Sequence, residues 1–391
     1  MKILYIEWGS YGERDVKEAF TEEGHQLISF SFVVAEGKIR YDPDTEERLR
    51  TALRSGTPDA VFSVDYFPVI ARGCQKEKIR YISWTYDCPH ILLYSKTIVY
   101  PCNTAYVFDK EVYREFHDAG VSTVHYMPLG VNVSRMDRIS PDPVKDRSFA
   151  GDVSFVGSLY VEEGNWFDEM QPLLTDYTRG YLDAVMAAQL KIQGCNFVQE
   201  LLGPVSKELC EAYPQEISSD GMETPEFHYA QRVINRKITA IERIDLLNAA
   251  AQYHTVDLFT HVRGLGWPNI REHGPVDYNR EMPLVFKQSR INLNITLRSI
   301  KSGIPLRAMD IMGCGGFLLS NFQADFLDHF VPGEDFVFYE SKEDLLKKID
   351  YYLTHEEERK WIARNGHDKV AAGHTCRHRV REMLEEGWRA G

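Results

Sequence analysis

Residues 299–321 read SIKSGIPLRAMDIMGCGGFLLSN and set an arginine and a carboxylate on one short helical stretch that three glycines close. From Arg290 to Met309 there is no acidic residue, yet Arg290, Arg298, Lys301 and Arg307 all fall there, in a chain whose formal charge is −13. A helix starting near Ile304-Pro305 turns its positive end outward, because proline is tolerated in a first turn. Arginine forks onto a diphosphate, and Asp310, one turn after Arg307, can accept two hydrogen bonds from ribose hydroxyls. Gly313, Gly315 and Gly316 end the helix and permit close backbone approach. The pattern predicts a phosphate site of the kind that holds a nucleotide sugar. The alternative is a solvated basic edge followed by a glycine cap.

Three further stretches carry candidate chemistry. Gly9-Ser10-Tyr11-Gly12 follows the first apolar run as a glycine-rich loop lining a cleft, or as an ordinary turn; it lacks the third glycine of a dinucleotide fingerprint. Asp87, in Tyr86-Asp87-Cys88-Pro89-His90, ends another apolar run; its carboxylate can take a proton from an alcohol, or it caps the next turn. Gly157-Ser158 follows DVSFV and offers backbone N–H groups to an anion. His374-Thr375-Cys376-Arg377-His378 puts two imidazoles on one helical face, but the thiol points elsewhere and no second cluster lies nearby. No metal is expected.

The elements that position these residues alternate strand and helix. KILYIEW, QLISFSF, AVFSV within 57–66, IRYISWTYD, NTAYVFD and VSTVHYM are separated by helical stretches at 15–23, 68–77 and 110–118, which predicts a parallel sheet. The polar stretch 134–152, with two prolines, is the expected linker. The pattern restarts at DVSFVGSLY, is interrupted by a helical insert at 165–253, and resumes with strands at 255–261, 290–297 and 335–341. The expected domains are 1–133 and 150–373. Ligands of such sheets bind beyond the carboxyl ends of the strands, which is where all four motifs fall.

A length of 391 residues with 43% hydrophobic content suits two cores. The acidic balance disfavours nucleic acid and anionic lipid as partners. The seven cysteines form no Cys-x-x-Cys pair, which suggests a reducing, cytoplasmic setting. No apolar run approaches the ~20 residues that span a bilayer.

In this order the motifs resemble the CgeB-like bacterial glycosyltransferases, relatives of spore-maturation proteins. YISWTYDCPH, DVSFVGSLY, REMPLVFKQSRINLNIT, IPLRAMDIMGCGGFLLSN and EEERKWIARNGHDKVAAGHTCRHRV carry the resemblance over nearly the full length. It implies the α/β GT-B fold, two Rossmann-like domains facing across a cleft. It also implies an acceptor on the first domain and a nucleotide-diphosphate sugar on the second as co-substrate, with no other cofactor and no metal. By position it places Gly157 and Ser158 near the phosphates, Arg307 near the diphosphate and Asp310 on the ribose; Arg298 and Lys301 are candidate donor-binding residues from the acid-free basic stretch. His261 and Arg263 fall on a loop where related folds often hold the base. It also implies that the last helix, 374–391, packs back on the first domain. The earlier acidic position of the familiar E-x7-E pattern falls at Ser302, so that pattern is not met. A nucleotide-sugar epimerase or hydrolase, and a non-catalytic binding module, stand as alternatives. The acceptor is unspecified, and a homodimer is compatible with the insert.

Overall fold

The computed structural model describes residues 1–34, 39–161, 165–215 and 217–389. The chain forms two compact units, Met1–Asn132 with Ile217–Thr224 and His374–Gly391, and Val133–Glu216 with Pro225–Gly373.

The first unit contains β1 (Lys2–Glu7), β2 (Gln26–Ser31), β3 (Ala60–Val64), β4 (Arg80–Thr85), β5 (Asn103–Val107) and β6 (Val124–Tyr126). They form one parallel sheet in the order β2-β1-β3-β4-β5-β6. Helices cover both faces, so β3 is buried at every position and its sequence is a continuous run rather than an alternation. The helix Pro68–Glu77 starts on its proline, and Lys110–Asp118 is capped by the Asp109 carboxylate, which accepts from Glu111 N (3.0 Å) and Val112 N (3.2 Å). The helix Pro43–Gly56 was not expected: its core contact rests on Leu49 and Leu53 in an otherwise charged stretch.

The helix Cys376–Arg389 belongs to this first unit and packs on the helix Glu13–Glu22, with Arg381 Nη2 2.9 Å from Glu23. The final two residues of the expected 374–391 helix lie outside the described residues. The segment Ile217–Thr224 also joins this unit, although the sequence reading kept the whole insert with the second domain. Two ion pairs explain the difference, Arg72–Asp220 (2.6 Å) and Arg40–Glu223 (2.5 Å), along with Met222 N donating to Tyr94 O (2.7 Å). Glu216, within the insert, lies outside the described residues.

The second unit contains β7 (Gly151–Val156), β8 (Val256–Phe259), β9 (Ile270–Glu272), β10 (Ser289–Asn294), β11 (Leu318–Asn321) and β12 (Val337–Tyr339). These are parallel in the order β12-β11-β10-β7-β8-β9, which is the dinucleotide-fold order with its reversal between β7 and β10. The short β9 was not expected. The insert is helical, and a π-helical turn at Tyr229–Ile234 leads into the long helix Asn235–Ala251. The expected linker 134–152 is part of this unit: Lys287 Nζ donates to Met136 O (2.8 Å) and Ile139 O (2.7 Å), which fastens it down. Among the described residues no helix is long and apolar enough to cross a membrane, and all seven cysteines are free.

Candidate active site

In the second unit the sheet reversal lies between the loops that follow β7 and β10. The β7 loop carries Gly157-Ser158. Its carbonyl at Ser158 accepts from Arg243 Nη1 (2.5 Å), and Arg243 Nε (3.0 Å) and Nη2 (2.5 Å) donate to Ile295 O beyond β10. Arg243 comes from the helix Asn235–Ala251 and spans the reversal. Its guanidinium lies 4.9 Å from the Tyr160 ring and 5.3 Å from Phe155.

Arg243 is 8% exposed and makes no ion pair among the described residues; its donors meet only neutral carbonyl oxygens. Burial, with Arg307 as a like-charged neighbour, pushes its pKa down. A buried cation without a counter-ion is costly, and a bound anion removes that cost.

Arg307 lies in the first turn of the helix Leu306–Gly313, which starts just after Pro305 as expected. Its guanidinium touches Met282 Sδ, lies 5.7 Å from the Phe286 ring and 3.6 Å from the Asp310 carboxylate. Asp310 is buried and accepts from Tyr278 Oη at 3.1 Å. Arg243 bonds the Ser158 carbonyl and has Arg307 as a like-charged neighbour, while Tyr278 bonds Asp310; the sequence reading named neither Arg243 nor Tyr278. Arg243 had a signal: it shares a helical face with buried Thr239, Leu246 and Ala250, whereas Arg236 is exposed.

The remaining basic candidates do not converge. Arg298 faces an acid of the protein itself. It is buried and forked onto Glu242 (Nε 2.8 Å, Nη2 2.7 Å), and Nη1 donates to Ile192 O at 2.8 Å. Its charge is spent tying the β10 loop to the insert. Lys301 lines a small recess with Gly194, Asn196 and Arg298, in which Arg307 takes no part. Arg290 pairs with Asp152 (3.1 Å) at the opposite, amino end of the sheet. Arg263 turns toward His273 O (3.4 Å) and lies over Gly274; His261 is exposed on the same loop after β8. Ser302, at the missing acidic position, is buried, and its carbonyl accepts from Asp325 N (3.0 Å). Gly316 approaches the protein's own sheet rather than a ligand: a Cβ there would sit 2.8 Å from Asn292 Nδ2 and from Phe286 O.

In the first unit the loops after β1, β3 and β4 meet. Gly12 has φ 77°, and a Cβ on it would lie 3.1 Å from the Tyr86 ring. Gly9–Gly12 therefore packs against the residue that precedes Asp87. Ser10 Oγ is buried without a hydrogen-bond partner among the described residues. Gly12→Ala is expected to cost roughly 1–2 kcal/mol from left-handed strain alone and to displace Tyr86; urea unfolding measures the first and amide shifts at Tyr86 and Asp87 the second.

Asp87 is exposed, as a base facing substrate must be. Two neighbours were not foreseen. Asp65, directly after β3, and His90 bring ligand-type atoms within 4.8 Å of the Asp87 carboxylate and of each other. Burial, then the Asp87 charge, raises Asp65 to about 6. The position was marked in sequence by a carboxylate immediately after the mainly apolar AVFSV. His374, Cys376 and His378 form no such group: Cys376 Sγ contacts Gly130 O (3.3 Å) and His378 Nδ1 contacts Thr375 Oγ1 (2.7 Å).

Residues 242–385 match a family model described as glycosyl transferase-like. That segment begins at Glu242-Arg243 and contains Arg298, Arg307 and Asp310. No curated protein matches the sequence. Among solved structures, a glycosyltransferase from Rickettsia africae superposes with TM-score 0.54 at 12% identity, over 98% of this chain and 97% of that one. Sucrose-phosphate synthase from Thermosynechococcus elongatus gives 0.53 at 12% identity, with both chains covered completely. Anabaena HepE, in complex with UDP-glucose, gives 0.53 at 9% identity over 99% of this chain and all of the other. The fold is that of the GT-B glycosyltransferases, and the matched segment, 242–385, is glycosyl transferase-like.

Proposed function

We propose that the chain moves a sugar from a nucleotide-diphosphate sugar to an acceptor hydroxyl, as a CgeB-like bacterial enzyme of the cytoplasm that needs no metal. The observation that carries the donor assignment is Arg243, a buried guanidinium without a counter-ion, beside Arg307 at the sheet reversal. HepE, a neighbour in fold, is held in complex with UDP-glucose, which supports the same donor class.

In this reading the diphosphate takes Arg243 and Arg307 as cationic partners, and the free N–H groups at the start of the helix Leu306–Gly313 add to them. Asp310, held by Tyr278, accepts from the ribose. The anomeric carbon–oxygen bond breaks with its electron pair going to the diphosphate, and the fixed positive groups stabilise that charge as it develops. Asp87 takes the acceptor proton in an inverting displacement.

Calorimetry with UDP, and a screen for released nucleoside diphosphate across donors with and without candidate acceptors, test this. Binding of a nucleoside diphosphate is expected, weakened by about tenfold in Arg243→Lys, which keeps the charge but loses the fork. Turnover is expected to require an acceptor; turnover with donor alone identifies a hydrolase instead. Wild-type affinity in both Arg243→Lys and Arg307→Ala overturns the donor assignment.

A further inference from the structure

The cluster after β3 and β4 goes beyond a single base. Asp65 adopts φ 60°, a left-handed conformation unusual for a residue with a side chain. That turn directs its carboxylate to the neighbouring strand end, where Oδ1 accepts from Tyr86 N (2.8 Å) and Asp87 N (3.1 Å). The residue is 1% exposed. His90 is fixed from the other side, with Nε2 3.1 Å from Tyr66 N and 2.8 Å from Tyr66 O. The ligand-type atoms of Asp65, Asp87 and His90 all lie within 4.8 Å of one another.

We propose that Asp65 is a positioning residue for Asp87, and that the two carboxylates and the His90 imidazole hold the proton taken from the acceptor as one coupled group. This rests on the reading of Asp87 as the base. Two carboxylates this close, one of them buried, ionise in separate steps, because the second charge is opposed by the first. Asp87 and His90 are the charged groups facing Asp65; the Tyr81 hydroxyl reaches only its backbone carbonyl, at 3.5 Å. The upward shift of Asp65 to about 6, caused by burial and then by Asp87, agrees with that geometry. In the transfer step the acceptor oxygen bonds to the anomeric carbon and the bond to the diphosphate breaks. The hydroxyl proton passes to Asp87, is shared with Asp65 and His90, and leaves to water after product departs.

The test is an NMR titration of the full chain carrying ¹³C in its aspartate carboxyls and histidine rings, in wild type, Asp65→Asn and Asp87→Asn. Asp87→Asn is expected to lower the midpoint of Asp65, whose raised value has the Asp87 charge as its second cause. An Asp65 curve in Asp87→Asn that superimposes on wild type overturns the proposal. So does stoichiometric binding of Mn²⁺ or Zn²⁺ lost in Asp65→Asn, which would make the cluster a cation site. Melting gives a second readout. A carboxyl whose folded pKa is raised contributes stability at low pH that is lost as pH rises through about 6. Asp65→Asn is therefore expected to melt above wild type at pH 8 and with it below about pH 4; equal melting at both overturns the proposal. Should Asp65→Asn not fold, the Asp65 midpoint in Asp87→Asn decides. UDP affinity of the same variants separates the two readings: lost coupling with wild-type UDP binding removes the shared proton alone, while a wild type that binds no UDP removes the donor assignment.

Discussion

Arg307→Ala is expected to lower affinity for UDP by about 10–100-fold while leaving the chain folded. The guanidinium is about a third exposed, with a side-chain accessibility of 30%, and its contacts are a thioether, a ring face and the 3.6 Å approach to Asp310. None of these is a buried bond whose loss would unfold the unit, and Asp310 keeps Tyr278 as donor. A hydrogen bond to a charged group contributes roughly 1.5–3 kcal/mol, and each ~1.4 kcal/mol is tenfold in affinity. The loss should therefore be readable by calorimetry and should shrink as salt rises, because the site is partly open to solvent. An unchanged dissociation constant would count against the placement of the diphosphate.

Arg298→Ala should behave oppositely, with a loss of stability on the order of 3–5 kcal/mol and no loss of UDP affinity in the molecules that remain folded. The side chain is buried, donates twice to Glu242, and supports Ile192 O; the Arg298 carbonyl in turn accepts from Asn196 Nδ2 at 2.7 Å. Truncation strands the Glu242 carboxylate in the interior, with Gln193 Nε2 at 2.9 Å as its remaining partner. Urea unfolding measures the effect, and Arg298→Met combined with Glu242→Leu should recover most of it by removing both charges. A mild effect in the single variant would return Arg298 to the list of donor ligands.

These two arginines show what the sequence carried and what it withheld. Both stand in one acid-free stretch, and charge counting assigned both to phosphate. Composition cannot say which way a side chain turns, and the acid that captures Arg298 lies 56 residues earlier, in the insert. Arg243 was hidden for a related reason: it shares its helix with Arg236, and only its burial without a counter-ion distinguishes it. The strands, the proline-started helix at Leu306 and the turn at Gly315, whose φ is 76°, were legible because each depends on neighbours in sequence. Asp65 was legible in principle, as a carboxylate closing an apolar strand at the sheet reversal of the first unit, but its bonds to Tyr86 and Asp87 exist only once β3 and β4 lie side by side. Ile217–Thr224 had no local signal, since its partners Arg40 and Arg72 are far upstream.

The first unit is assembled from three separate stretches, the last of them beginning at His374. During synthesis the first unit, begun before the second, is therefore completed after it. Until the final helix arrives, the outer face of Glu13–Glu22 and the backbone of Val131, which later exchanges hydrogen bonds with His374 O (3.2 Å) and Cys376 N (3.1 Å), have no cover. A nascent chain halted before residue 374 should present that surface to chaperones and proteases until the segment from His374 emerges.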